Sequence, residues 1–316
     1  MRVLVTGASG MLGSAVAARI SSVGHEIRAL QRRASGFADE VLGSLTDPEA
    51  VVRAVEGMDA VVHLAAKVSL TGDRTEFHQV NVEGTRRLLA AAASAGVTRF
   101  VQISSPSVAH SGVAIVGEDA MPADPLRARG DYARSKAEAE VLALASDRPG
   151  FSVVAIRPHL VWGPGDTQLV ARIVERARRG RLPLLGHGAA LIDSTYIDNA
   201  ASAIARALER ADAVHGNSYV VTNGEPRPVA ELLQGMCSAA GVPAPAWRIP
   251  ASVAYTAGGL VESVWRGEEE PPMTRFLAEQ LSTAHWFDQR RTRRDLQWTP
   301  DVSLDEGFRR LAASFG

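Results

Sequence analysis

Alternating strand and helix signals mark this chain as an α/β protein, a doubly wound parallel sheet with a smaller C-terminal substrate lobe. Short, continuously apolar runs alternate with helical patterns through the first half, as strands buried on both faces require. A glycine-spaced turn joins the first run to the first helix. Beyond Arg157 the texture changes. All five tryptophans (Trp162, Trp247, Trp265, Trp286, Trp298) lie there, and prolines thicken at Pro243, Pro245, Pro250, Pro271 and Pro272.

Taken in order, Val3 to Val5 reads as a buried strand and Met11 to Val23 as a small-residue helix stopped by Gly24. Ile27 to Leu30 is a second strand, and Pro48 to Val55 a short helix with Asp47 placed to cap it. Ala60 to Leu64 is a third strand, followed by a long helix from Phe77 to Ala95 that Gly96 ends. Phe100 to Ile103, a helix from Tyr132 to Ala145, and Val153 to Ile156 complete the βα alternation. Gly163-Pro164-Gly165-Asp166 is a loop, and a basic helix follows from Leu169 to about Arg179. Thr195 to Ile197 and Tyr219 to Val221 read as strands returning to the sheet. The expected organisation is a dinucleotide-binding core over 1–165, with return strands near 195–221, and a mostly substrate-binding lobe over 166–316.

The 316 residues are 46% hydrophobic and 22% charged, ample for a sizeable core. A formal charge of −1 gives no general electrostatic pull toward nucleic acid or an anionic membrane. The single cysteine, Cys237, excludes a disulfide framework and reads as a small buried apolar residue. The chain opens on a strand rather than a basic-then-apolar leader, and charges interrupt its apolar stretches before the ~20 residues of a span. A cytoplasmic protein without a membrane span is therefore expected. The histidines, among them His63, His78, His110, His187 and His215, are scattered without ligand spacing, so no metal is expected.

Thr6-Gly7-Ala8-Ser9-Gly10-Met11-Leu12-Gly13 sits between the first strand and the first helix. Glycines there permit a tight turn, close approach of backbone to a pyrophosphate, and close helix–strand packing. The helix N-terminus then offers free N–H groups and a favourable dipole. Gly7, Ser9, Gly10, Met11, Leu12 and Gly13 are thus expected to hold the phosphates of a dinucleotide in a Rossmann-type fold. An acid about twenty residues on would select NAD, but the second strand ends Gln31-Arg32-Arg33. Two guanidiniums suit a 2′-phosphate, so NADP(H) is preferred. NAD(H) stays open, because Arg32 and Arg33 could equally be a solvated pair.

The chain has thirty-two arginines and two lysines, Lys67 and Lys136. Lys136 follows Tyr132 by four residues, a pairing that chance supplies in roughly one sequence of this composition in forty. On a helix the two share a face, where an ammonium would stabilise the phenolate and lower the tyrosine below its usual pKa of about 10. Tyr132 then serves as a proton donor to a forming alkoxide. Ser104 and Ser105 end the fourth strand, at the carboxyl edge of the sheet where ligands bind.

These motifs, with Val62-His63-Leu64-Ala65-Ala66, Asn81-Val82-Glu83-Gly84-Thr85 and Arg157-Pro158 before Gly163-Pro164-Gly165-Asp166, resemble an extended short-chain dehydrogenase/reductase of the NAD-dependent epimerase/dehydratase superfamily. The resemblance implies a catalytic triad of Ser105, Tyr132 and Lys136, Ser105 being chosen because it lies three before Val108. It implies that Asn81 supports a proton relay. Leu64, Ala65, Ala66, Lys67, Ser104, Pro158, Leu160 and Val161 would lie along the cofactor. At the adenine, Gly43-Ser44-Leu45 departs from the family's Gly-Asp-Leu, so contact there would fall to the Ser44 hydroxyl and Leu45. The resemblance also implies a homodimer through paired helices.

Ser105 to His110, Ile192 to Ala200, Thr222-Asn223-Gly224-Glu225-Pro226, and Thr274 to Trp286 are similar to the 2-alkyl-3-oxoalkanoate reductases of bacterial long-chain olefin biosynthesis. That likeness implies NADPH-dependent reduction of the 3-keto group of a β-keto acid bearing two alkyl chains, with thioester-condensing and β-lactone-forming enzymes as partners. Trp247, Trp265, Phe276 and Trp286 would line a site for the chains, or else pack the lobe's own core. His159 and His285 read as structural. The alternatives are a 3β-hydroxysteroid-type dehydrogenase, a nucleotide-sugar epimerase, and a non-catalytic NADP(H) sensor. Pro106-Ser107 stands where dehydratases carry an acid pair, which argues against dehydration, and the intact tyrosine–lysine pair argues against the sensor.

Overall fold

The computed structural model describes residues 1–69, 73–109, 112–265 and 273–316, so His110, Pro271 and Pro272 lie outside it, as does the Phe276 side chain. Seven parallel strands form the central sheet: β1 (Arg2–Thr6), β2 (Glu26–Gln31), β3 (Asp39–Leu42), β4 (Ala60–His63), β5 (Arg99–Ile103), β6 (Ser152–Pro158) and β7 (Ser218–Val221). Their spatial order is β7-β6-β5-β4-β1-β2-β3. The chain therefore winds outward from β1 to β3, then restarts at β4 on the other side. The crevice between β1 and β4 is the topological switch point where such sheets bind ligands.

Helix α1 (Met11–Ser22) buries Val16, Ala17 and Ile20 against one face, beside α6 (Ile197–Glu209). The other face is covered by α2 (Pro48–Val55), α3 (Gly84–Ser94) and α4 (Asp131–Ala145). Asp47 caps α2, accepting from the N–H groups of Glu49 and Ala50, and Pro48 follows where its missing N–H costs nothing. A wide π-helical stretch, His78–Glu83, leads into α3.

Past β6 come α5 (Leu169–Arg178), α7 (Val229–Ala239), α8 (Ala251–Val264) and α9 (Arg275–Ser282). A four-stranded sheet orders Arg227–Pro228, Leu191–Ile192, His285–Phe287 and Ile115–Glu118. The two parts of the chain interleave. Ile115–Glu118 comes from the first 165 residues yet edges this second sheet, while α6, Leu296 and Trp298 pack on the central one.

One expectation is corrected here, and the structure adds one strand to those expected. Thr195–Tyr196 does not return to the central sheet; it pairs with Val161–Trp162 in a separate ladder, and Ile197 already opens α6. Its apolar run had looked like a buried strand because α6 is itself buried along most of its length. Asp39–Leu42, which carries too little apolar character to signal a strand, pairs with β2 at the sheet edge. No described helix is long and apolar enough to cross a membrane.

Candidate active site

The carboxyl ends of β1, β4, β5 and β6 converge on one crevice. Gly7 has φ +75°, a conformation that favours glycine, and a Cβ there would stand 2.8 Å from the Ala65 nitrogen. A Cβ on Gly13 would meet the Gly7 carbonyl oxygen at 2.0 Å. Gly10 is different: the nearest atom to its Cβ would be 3.5 Å away, so this glycine keeps a space open rather than relieving a clash. Gly10 is also the N-cap of α1 and supplies no side-chain hydrogen bond, leaving the first-turn N–H groups of Met11, Leu12 and Gly13 directed at that space without a side-chain acceptor. Ser9 is exposed beside it. The arrangement fits a dinucleotide pyrophosphate.

The rest of the expected cofactor cleft is ordered around the turn. Thr6 Oγ1 accepts from the Ala65 N–H at 3.1 Å, drawing Leu64-Ala65-Ala66 against the glycines. His63 is held between the hydroxyls of Thr6 and Thr85, at 2.7 and 3.0 Å, and burial pushes its pKa down to about 3. It is a neutral structural ring. Gln31 occupies the end of β2, with Arg32 and Arg33 exposed after it. Glu40, the nearest carboxylate across the ladder, accepts from Ser35 and Gln31, and those hydrogen bonds hold it below its ordinary range. Ser44 Oγ accepts from Thr46, and Leu45 is buried. The Lys67 ammonium pairs with Glu76, away from the crevice; what faces the site is its backbone.

That backbone is clamped by Asn81, which accepts from Lys67 N–H at 2.7 Å and donates to Lys67 oxygen at 3.1 Å. Asn81 also donates to Ser135 Oγ at 3.0 Å, and Ser135 donates to the Tyr132 carbonyl at 2.9 Å. Asn81 lies in the π-helical stretch, whose wider turn offers its buried amide to all three partners.

Ser105, Tyr132 and Lys136 come together at the end of β5. Ser107 donates through its hydroxyl to Ser105 Oγ at 2.9 Å, leaving the Ser105 hydrogen for the Tyr132 phenol. Lys136 is 4% exposed and donates to the Ile103 carbonyl at 2.5 Å. One expectation reverses. Burial raises the Tyr132 pKa above its ordinary value, opposed by the Ser105 hydrogen bond. Burial also lowers Lys136 to about 8, against an upward pull from Glu140. Below Lys136, Glu140 and Arg157 form a fully buried ion pair. Ser104 Oγ, at the end of β5, is buried without a hydrogen-bond partner.

Pro158, His159 and Leu160 cross the crevice mouth. Leu160 has φ +41°, and Thr195 holds the segment through its N–H to Leu160 oxygen at 3.2 Å and its hydroxyl to His159 oxygen at 2.7 Å. Val161 then pairs with Thr195. A cavity of ≈ 310 Å³ opens here, lined by Ser105 and Tyr132 together with Leu169, Ile173, Leu232, Leu233, Met236 and Leu281. Its walls are mostly apolar, and none of the described tryptophans is among them. Trp247 is 45% exposed and donates to Gly180, and Trp286 packs where Gly117 leaves room. His159, His285, Gln168 and Arg172 also line the cavity, polar positions that residue spacing alone had not gathered. No described group of three or more acidic, histidine or cysteine side chains could hold a metal.

The NAD dependent epimerase/dehydratase family profile matches residues 3–222. A 2-alkyl-3-oxoalkanoate reductase of Stenotrophomonas maltophilia (strain K279a) is 43% identical, over 99% of each chain. Among solved structures, gox2253 superposes with a TM-score of 0.78 at 27% identity, covering 99% of this chain and 97% of that one. MoeE5 in complex with UDP-glucose and NAD superposes with a TM-score of 0.74 at 26% identity, covering 99% and 98%.

Proposed function

The chain belongs to the NAD dependent epimerase/dehydratase family of extended short-chain dehydrogenases, and on that premise we propose that this NAD(P)-dependent oxidoreductase reduces the 3-keto group of a long-chain 2-alkyl-3-oxoalkanoate with NADPH. One observation carries the reading. The paired hydroxyls of Ser105 and Tyr132 line a cavity whose walls are otherwise mostly apolar. Alkyl chains gain about 0.8 kcal/mol per methylene buried in such a space, whereas a sugar nucleotide needs polar partners along its length. The 2-alkyl-3-oxoalkanoate reductase relative supports the same substrate class.

In this reading a ketone oxygen seated between Ser105 and Tyr132 accepts from both hydroxyls. Reduced nicotinamide, when bound, supplies hydride to the carbonyl carbon. Tyr132 donates its proton to the oxygen as negative charge develops there, and its burial keeps the phenol protonated until then. Lys136, one helical turn on, lowers the cost of the phenolate that remains. Asn81, through Ser135, fixes the first turn of α4 and so the phenol's position. Gly7, Ser9, Gly10, Met11, Leu12 and Gly13 would hold the pyrophosphate, with Leu64, Ala65, Ala66, Ser104, Pro158, Leu160 and Val161 along the nucleotide. Exposed Arg32 and Arg33, with β2 itself ending in Gln31 and the nearby Glu40 carboxylate engaged by Ser35 and Gln31, support NADPH over NADH. A homodimer belongs to the same reading.

The test is NADPH consumption with a synthetic 2-alkyl-3-ketoacid, beside sterol and sugar-nucleotide controls. Turnover of the ketoacid is expected; turnover of the controls alone would overturn the assignment.

A further inference from the structure

Beneath Lys136 lies a charge pair that the reduction as described does not use. Glu140 follows Lys136 by four residues, so both project from one face of α4. Arg157, on β6, donates through Nε to Glu140 Oε2 at 2.9 Å and through Nη2 to Oε1, and both side chains are 1% exposed. Its remaining terminal nitrogen, Nη1, reaches the Met121 carbonyl at 2.6 Å. A carboxylate buried this deeply needs a cationic partner, and the guanidinium, always charged, supplies one in a fixed fork.

Such a pair is a poor source of stability. Drying two charges offsets most of their attraction, and apolar residues of similar volume often serve a fold as well. Its place beneath Lys136 gives it another use. Tyr132 and Glu140 face the ammonium from its own helix, neutral His63 from β4, and Arg157 from behind Glu140. From β5 comes the Ile103 carbonyl, which accepts from it. Charges on the helical segments packed against α4 are engaged elsewhere: Glu76 with Lys67, His78 with Glu138, Arg86 with Glu83, and Arg87 with the Leu45 carbonyl. Among the described residues, Glu140 is the carboxylate that acts on Lys136, drawing it up against the lowering effect of burial.

We propose that Glu140, held by Arg157, is a positioning residue for the reduction: its buried negative charge keeps the Lys136 ammonium charged, so that Tyr132 has a cation beside it when it gives up its proton. The inference rests on the reductase reading above. Without the carboxylate, Lys136 would have burial alone acting on it and would shed its proton where the reaction needs the charge. Arg157 has two parts in this arrangement. It fixes both carboxylate oxygens, and through Met121 it ties α4 to the segment that follows the Ile115–Glu118 strand of the second sheet.

The experiment reads Lys136 directly. The chain has two lysines, so protein labelled with carbon-13 at lysine Cε gives two resonances, and Lys136→Met identifies the one from the site. Both are titrated by NMR in wild type and in two variants. The double variant Glu140→Leu, Arg157→Met removes the pair as a unit; Glu140→Gln keeps an oxygen for Arg157 without the charge, and it serves if the double variant fails to fold. The rate of ketoacid reduction is followed over the same pH range. The Lys136 midpoint is expected to fall by at least about one pH unit in each variant, with Lys67 unmoved. The alkaline loss of kcat is expected to move down with it, while KM changes little. A Lys136 midpoint that keeps its wild-type position overturns this inference and leaves the reductase reading standing. So does a midpoint that falls while the rate profile stays in place, and so does an equal loss of rate at every pH, the mark of a merely structural prop. A wild type that reduces no ketoacid overturns the reductase reading, and the NMR titration alone then decides whether Glu140 holds the charge on Lys136.

Discussion

At the scale of single residues, the proposed reduction relies on a phenol whose pKa burial raises rather than lowers. Burial dominates Tyr132, and a protonated phenol is the form a reductase's acid needs. Tyr132→Phe should lower kcat by about 10²–10⁴-fold with little change in thermal stability, read by steady-state rates and melting curves. Burial lowers Lys136 in the folded protein to about 8, well below its ordinary value, so folding disfavours its charged form. Its contribution to stability is therefore fully present only above the unfolded value and is lost as pH falls through about 8. Lys136→Met should remove that cost: Tm at pH 7 no lower than wild type, with activity largely abolished. In wild type the reduction rate should fall as pH rises through about 8, where the supporting charge is lost. The tyrosine–lysine pair was legible in the sequence because spacing on a helix places side chains predictably, whereas Ser105 was singled out by the family resemblance. The tyrosine's pKa was not legible, since burial is set by tertiary packing rather than by spacing along the chain. His159 and His285 were invisible as a pair because 126 residues separate them.

At the scale of elements, the turn from β1 into α1 separates two kinds of glycine. Gly13→Ala would drive a methyl to 2.0 Å from Gly7 oxygen and should disrupt the fold, read as a large loss of Tm or of soluble protein. Gly10→Ala meets nothing closer than 3.5 Å and should fold normally, yet its methyl intrudes where a pyrophosphate would lie. Its Kd for NADPH should rise about tenfold or more by titration calorimetry, with Tm unchanged in the absence of ligand. Asp193, beside the Leu191–Ile192 strand, tests the second sheet. Burial raises it to about 6, so its contribution to stability is present below its unfolded value and lost as pH rises through about 6. Asp193→Asn should therefore raise Tm at pH 7.5, and the gain should shrink toward pH 4. Strands of the central sheet could be read from continuous apolar runs such as Ala60–His63. Two-residue ladders such as Thr195–Tyr196 could not, because they rest on tertiary partners rather than on a period. The π-helical stretch at Asn81 likewise leaves no mark in residue pattern; it follows from the hydrogen bonds that the asparagine makes.

At the scale of the whole molecule, the sheet's switch point and the second sheet meet over one cavity. Elements from both halves of the chain build it, including Ile115 from the first and His285 from the second. Sequence texture announced a lobe, but not that aliphatic side chains of α5, α7 and α9 would line the cavity instead of tryptophans. If alkyl arms fill this space, lengthening a ketoacid by one methylene should lower KM about fourfold until the walls are reached, after which the gain stops. The central claim is that Tyr132 protonates a ketone held in a mostly apolar cavity. Its most direct test is single-turnover oxidation of bound NADPH by a 2-alkyl-3-ketoacid, in wild type and in Tyr132→Phe at equal occupancy of both ligands. A loss of at least about a hundredfold in the variant's rate is the predicted result, and equal rates in the two proteins would contradict the claim.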